Sequence, residues 1–287
     1  GLVGSEMCIR DRYWQENMGG DFSKSEREQA AYHHAVEEVL PVCQHLQEEF
    51  RQSAFVPYCT ELQISSENPN FPPICLHTEA GQTVKLIGKI DRVDICQDGD
   101  QQWVRVVDYK TNGKIFELGN LLYGLDMQML IYLFSILSEG TALAGSKPAG
   151  VLYLPARDEI LPAERGISPE ALQKEREKTL KRSGLLLEDP AVLQAMEHEA
   201  LTEPHYLPLR VGKDGNLSGS LASAARLGKL GTYVDKLLGQ ISDELRSGNI
   251  NVINGPDECL LCGLAMGADG GIGATYNVMP KLFSQIY

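Results

Sequence analysis

The feature that most constrains this chain is a pair of strand-like runs that both end in charge. From Val84 to Ile95 the residues alternate, with Val84, Leu86 and Ile90 on one side and Lys85, Lys89, Asp91 and Val93 on the other. Gln97-Asp98-Gly99-Asp100 is a turn signal, and Trp103 to Tyr109 is a second run rich in β-branched and aromatic residues. Together they predict an antiparallel hairpin. Asp108 and Lys110 are two residues apart at the end of the second strand, so both leave one face, in line with Val104 and Val106. An acid and an amine ending an apolar face are costly to bury unless each has a partner or a metal. Hairpin pairing can bring Asp91 within a few ångströms of both. Gln128 and Tyr132 follow at i and i+4 of a helical stretch and share a face.

Around this hairpin the chain reads as an α/β domain, a mixed sheet flanked by helices. Helical spacing starts near Ser23 or Ser25 and recurs at Ala31, Ala35, Val39 and Leu46, with Pro41 expected to kink or divide it. An extended segment from Pro57 to Ile64 precedes a Pro-rich loop, Pro69 to Pro73. One helix is expected over Leu118 to Leu137, its stripe formed by Leu118, Leu121, Leu122, Leu125, Met129 and Leu133. Gly150 to Leu154 (GVLYL) reads as a buried strand. Ser168 to Lys181 reads as a charged helix, and Ala222 to Arg246 as a further helix or pair of helices. No run of eighteen apolar residues occurs, so no membrane partner is expected. Seven scattered cysteines, an odd number, suit a reducing cytoplasm better than a disulfide framework.

The net charge of −13 argues against a protein that grips nucleic acid over its whole surface. It leaves room for a small site where carboxylates hold a cation that meets phosphate. Two acidic ligands suit Mg²⁺, a hard ion that keeps several waters and binds phosphate oxygen. Such an ion makes a nucleophile from water, and a lysine beside an acidic ligand can orient that water and stabilise developing negative charge. The plainer alternative is that a strand-ending Asp-x-Lys forms a surface ion pair. Gln128 could likewise be a satisfied core amide. The joint order of these residues on a strand-strand-helix frame favours the chemical reading.

That frame resembles the RecB-type branch of the PD-(D/E)XK nucleases, and its flanks resemble the AddB subunits of AddAB helicase-nucleases. Gly88 to Asp94 (GKIDRVD) matches the family's GxIDRxD motif, Asp108-Tyr109-Lys110 its DYK motif, and Gln128 to Tyr132 its QLxxY motif with Met129 in place of Leu. Phe55 to Leu62 (FVPYCTEL) is similar to its F-x-P-x-x-x-E-L element. The resemblance implies a restriction-endonuclease-like core in which Asp91 and Asp108 ligate Mg²⁺ and Lys110 is the catalytic lysine. Glu61 would be an accessory acid, while Gln128 and Tyr132 would shape the site. It also implies a DNA substrate, an AddA-like helicase-nuclease partner and a role in recombinational repair of double-strand breaks. No GxxxxGK[ST] motif occurs, so unwinding is expected from the partner. The family histidine lies on an upstream helix, expected before this segment, and His33 and His34 are left outside the site.

The family also carries a [4Fe–4S] cluster, which needs four ligands. Here Cys259 and Cys262 form a lone C-x-x-C and the expected third downstream position is Ala268, so this chain is expected not to build it. Residues 1–12 contain GSEMCIRDR, which resembles a translated sequencing adapter and takes Cys8 out of consideration. Residues 13–250 are expected to be the nuclease domain. Residues 251–287, rich in glycine, resemble a unit of N-acetylneuraminate lyase, and the join is expected near 250–254. Two other functions follow from these readings. One is a nuclease fold kept as a non-catalytic scaffold or DNA-binding module, against which the intact Asp91, Asp108 and Lys110 argue. The other is a lyase, resting on the tail alone.

Overall fold

The computed structural model describes residues 26–77, 81, 83–110, 115–123, 125–156, 168–247, 253–254 and 270–271. The expectations for residues 1–12, for capping by Ser23 or Ser25 and for Cys8, Cys259, Cys262 and most of the tail lie outside them.

Helix α1 (Glu26–Gln52) runs for 27 residues with Pro41 inside it. Pro41 therefore does not divide the helix, although it lacks an N–H. One absent hydrogen bond is tolerated among the good helix formers on either side. Strand β1 (Val56–Ile64) follows, and a turn through Asn68 leads past the buried Phe71.

The long alternating run is two strands, not one. β2 (Ile74–His77) and β3 (Thr83–Leu86) form a small antiparallel hairpin of their own, and β4 (Gly88–Asp98) begins after the exposed Ile87. β4 turns at Gly99, φ 57°, into β5 (Gln101–Lys110), and the two pair antiparallel as the turn chemistry predicts. The expected helix over Leu118–Leu137 is also broken. A 3₁₀ turn (Leu118–Tyr123) is separated from α2 (Gln128–Ile136) by Asp126, a non-glycine residue at φ 56°. A left-handed residue ends helical hydrogen bonding, and Leu118 and Leu125 are accordingly exposed while Leu121, Met129 and Leu133 are buried.

Strand β6 (Lys147–Pro155) contains the GVLYL run, with Ala149 to Leu154 all buried. A strand covered on both faces shows no alternation, which is why this one is continuously apolar. Helix α3 (Pro169–Thr179) precedes β7 (Ser183–Leu187), a strand that periodicity alone does not reveal. Helix α4 (Pro190–Met196) is capped by Asp189, whose Oδ1 accepts from the N–H groups of Ala191 (2.9 Å) and Val192 (3.3 Å). The fully buried Glu197 then gathers the main-chain N–H groups of His205, Tyr206 and Leu207. β8 (Leu209–Val211) and β9 (Leu217–Gly219) form a hairpin. β10 (Leu221–Ala222) leads into α5 (Ala224–Ser247), a single helix.

The main sheet has six strands in the order β1-β4-β5-β6-β7-β10. It is mixed: β5–β6 and β7–β10 are parallel, and the other pairs antiparallel. Helix α2 packs on β5 and β6. Val104, Val106, Leu130, Leu133, Leu152 and Leu186 are among its fully excluded core residues.

The chain divides into two compact units. One comprises Gly1–Pro72 and Ile87–Gly231 and contains the whole six-stranded sheet. The other comprises Pro73–Leu86 and Thr232–Tyr287. Its described parts are the β2–β3 hairpin, the rest of α5, and a two-residue parallel pairing of β11 (Ile253–Asn254) with β12 (Gly270–Gly271).

Candidate active site

Two acids adjoin one cross-strand pair of neighbouring strands. Thr60 on β1, Arg92 on β4 and Val107 on β5 are successive cross-strand partners. Asp91 precedes Arg92 on β4 and Asp108 follows Val107 on β5, so the two acids flank the Arg92–Val107 pair at the same end, and Asp108 in turn partners Tyr153 on β6. Alternation along β4 and β5 puts Asp91 and Asp108 on one face, opposite to Arg92 and Val107, and Lys110 shares it at two residues from Asp108. The main-chain N–H of Tyr109 donates to Asp91 Oδ2 at 2.8 Å, fastening the acid of one strand to the segment between Asp108 and Lys110. Lys110 Nζ lies 2.5 Å from Asp108 Oδ2 and 5.5 Å above the Tyr153 ring. Asp108 is 7% exposed, and its Oδ2 makes no directional hydrogen bond beyond this electrostatic contact.

The other expected residues sit differently. Glu61 is exposed, takes φ 55° and pairs with Lys89, which holds the Lys89 ammonium above its ordinary range. A left-handed conformation costs such a residue about 1–3 kcal/mol, and strain of this kind concentrates at functional sites. Gln128 Nε2 donates to Tyr132 Oη at 3.1 Å across one helical turn. Tyr132 also lies over Gly88, where an added Cβ would be 2.7 Å from Cε1. The glycine of the first motif therefore makes room for the tyrosine of the third. His33 and His34 are both exposed on α1.

Among the described residues no group of three or more His, Cys, Asp or Glu side chains is gathered to hold a metal. Asp91 and Asp108 stand on paired strands and each offers hard carboxylate oxygens, Asp91 held by the Tyr109 N–H and Asp108 Oδ2 set against the Lys110 ammonium. That donor set fits Mg²⁺, which is bound through one or two carboxylates together with water and phosphate oxygen.

On the opposite face the same motifs build a buried charge network that spacing does not disclose. Arg92, Asp94 and Arg105 are all at most 3% exposed. Arg105 Nε donates to Asp94 Oδ2 at 2.9 Å, and its Nη2 to Glu49 Oε1 at 3.2 Å. Arg182 Nη2 donates to Glu49 Oε2 at 2.5 Å, while Nη1 lies 2.7 Å from His45 Nδ1. Arg92 Nη2 reaches Asp94 Oδ2 at 3.1 Å. Burial pushes the Glu49 carboxyl up, but Arg182 and Arg105 outweigh it and hold the group below the usual carboxylate range. Burial, aided by Arg182, lowers His45 to about 4. The signal in the sequence is Arg105 itself, a charge between Val104 and Val106 on an otherwise apolar strand.

A family model described as PD-(D/E)XK nuclease superfamily matches residues 6–265. The AddB subunit of the ATP-dependent helicase/deoxyribonuclease of a Thermoanaerobacter strain is 32% identical over 210 residues, covering 72% of this chain and 18% of that one. Its namesake from Clostridium novyi is 32% identical over 265 residues, 88% of this chain and 23% of that one. The one from Acetivibrio thermocellus is 35% identical over 210 residues, with 71% and 18% covered. The chain thus spans about a fifth of the length of these curated relatives. Among the described residues no helix is long and apolar enough to cross a membrane.

Proposed function

This chain belongs to the PD-(D/E)XK nuclease superfamily, and from that premise we propose that it is the Mg²⁺-dependent DNA exonuclease domain of an AddB-like helicase-nuclease subunit. Its larger role is DNA-end processing in recombinational repair of double-strand breaks, beside an AddA-like partner. The observation that carries this reading is the 2.8 Å bond from the Tyr109 N–H to Asp91, which ties one candidate ligand to the strand end bearing Asp108 and Lys110.

Asp91 and Asp108 would hold the ion, which when bound supplies charge neutralisation at the phosphate and a more acidic water. The protein's own groups do the rest. The Tyr109 N–H orients the Asp91 carboxylate. Lys110, braced by Asp108 and the Tyr153 ring, places a positive charge where negative charge develops on the phosphoryl oxygens. The Gln128–Tyr132 pair, seated over Gly88, closes the edge of the site.

The test is cleavage of linear DNA by the full chain with Mg²⁺. EDTA should abolish cleavage, and Asp108→Asn or Asp91→Asn should lower it by about a hundredfold or more with the fold intact. Equal cleavage by the Asp108→Asn form would sink the catalytic assignment, and no cleavage by either form would favour the scaffold reading.

A further inference from the structure

Cavities of unlike charge open at the two ends of the β4–β5 hairpin. The one beside Lys110 is lined by Lys110, Lys178, Lys181 and Arg182 and by no Asp or Glu. The other, of about 320 Å³, is within the range of about 300–1,000 Å³ typical of ligand sites. It is lined by Asp98 and Asp189 and by no Lys, Arg or His. At about 3.3 Å per residue, β4 carries Asp98 about 23 Å away from Asp91, so this cavity is separate from the candidate active site. The sheet supplies one wall. Cys96 and Trp103 are cross-strand partners, and Asp98 leaves the same face two residues beyond Cys96. Asp189 and the α4 residues Ala191, Val192 and Ala195 supply the other. Ala54, just beyond α1, also lines the cavity and ties α1 to α4, its N–H donating to the Ala195 carbonyl at 2.7 Å.

The walls are mostly apolar, with Cys96 and Val192 buried and Trp103 half-buried. Burial, and after it the Asp98 charge, pushes the Cys96 thiol up, so the thiol stays neutral. The two carboxylates therefore set the charge. Asp189 Oδ1 caps α4, and among the described residues its Oδ2 accepts no hydrogen bond, nor does either oxygen of Asp98. Carboxylates beside an apolar, aromatic wall match a cation that is flat and weakly hydrated, which describes a guanidinium better than an ammonium. A guanidinium stacks on a ring with its face and bonds carboxylates with its edge. Trp103 already attracts one cation, the Lys147 ammonium 5.5 Å from its ring. Trp and Arg are also the side chains on which protein interfaces most often anchor. A free polyamine would meet the carboxylates but leave the apolar wall bare.

We propose that this cavity seats an arginine side chain of a protein partner, flanked in the partner by apolar residues. The guanidinium lies against Trp103 and donates to Asp98 and Asp189, and a neighbouring apolar side chain covers Ala191 and Ala195. Binding is measured without DNA or Mg²⁺, so it stands independently of the nuclease reading.

The experiment is a titration of the full chain with a capped Leu-Arg-Leu tripeptide, followed through the indole N–H resonance of Trp103, which Trp103→Phe assigns. The expected result is a saturable shift. Replacing the arginine by citrulline, its neutral isostere, should weaken binding about tenfold or more, the loss of a hydrogen bond to a charged group. Asp98→Asn combined with Asp189→Asn should weaken it by a similar factor. Asp98 is exposed and asparagine also caps a helix, so this variant keeps the fold, checked by circular dichroism. Ala191→Leu, at an exposed helical position, should obstruct the cavity and abolish the shift with both carboxylates in place. The absence of a saturable shift in the wild-type chain would overturn the proposal, as would equal binding of the citrulline peptide or unchanged affinity in the double variant. Spermidine bound as tightly as the tripeptide would assign the site to charge alone and overturn it too.

Discussion

Arg92 donates from Nη1 to the Tyr109 hydroxyl at 2.5 Å, joining the residue that follows Asp91 to the residue between Asp108 and Lys110. Arg92 is itself held by Asp94, with Nε 2.9 Å from Oδ1. Tyr109 thus bonds in two directions, its ring hydroxyl to the buried network and its main-chain N–H to Asp91. Tyr109→Phe strands a buried guanidinium N–H, and the expected cost is about 1–3 kcal/mol in urea denaturation. Because the main-chain bond survives, cleavage should fall less in this variant than in Asp91→Asn. A Tyr109→Phe form as stable as the parent would show that the hydroxyl bond contributes nothing.

Gly88→Ala should be destabilising, since its methyl would sit 2.7 Å from Tyr132 Cε1. Overpacking of this kind costs about 1–3 kcal/mol. Adding Tyr132→Ala should recover most of the difference between the glycine and alanine forms, a coupling that a double-mutant cycle measures directly. Additive effects would mean that the two motifs do not meet.

Glu49 bridges Arg105 and Arg182, and all three side chains are at most 2% exposed. Removing the carboxylate leaves two buried guanidinium groups uncompensated. Glu49→Ala is therefore expected to lower unfolding free energy by about 3–5 kcal/mol. A change below about 1 kcal/mol, read from chemical denaturation, would contradict the network.

Acid should destabilise the fold through His45. Its folded value is lowered to about 4, so between pH 6.5 and 4 the unfolded chain binds a proton that the folded chain does not. Stability is then level above pH 6.5 and falls as pH drops through that window. The expected loss is about 1 kcal/mol between pH 7 and pH 5, after allowing for the partial exposure of the ring. Glu49 acts in the same direction at lower pH, because its depressed carboxyl stabilises the fold above the ordinary glutamate range and loses that contribution on protonation. His45→Asn keeps an acceptor for Arg182 and should flatten the slope between pH 7 and pH 5. An unchanged slope would assign the effect elsewhere.

Particular residues show how far the fold and the site are legible in the sequence. The hairpin of β4 and β5 is readable because alternation and a Gly99 turn are properties of adjacent residues. The Gln128–Tyr132 pair is readable for the same reason, since one helical turn fixes it. The single helix over Leu118–Leu137 fails because nothing in an apolar stripe marks Asp126 as left-handed. The strand break at Ile87 is hidden because alternation continues through it, and only pairing decides which partner each half takes.

By itself, then, the chain determined that Asp108 and Lys110 share one strand face and that Asp91 stands on the strand paired with theirs. Neighbouring-residue geometry suffices for that. Tertiary structure alone decided that Arg92, Asp94 and Arg105 face away into a network with Glu49 and Arg182, and that Glu61 pairs with Lys89. It also decided that basic side chains gather in a cleft beside Lys110. The physical reason is that a charge withdrawn from water needs a counter-charge. Where that counter-charge lies far along the chain, as Glu49 does from Arg182, only packing brings the two together.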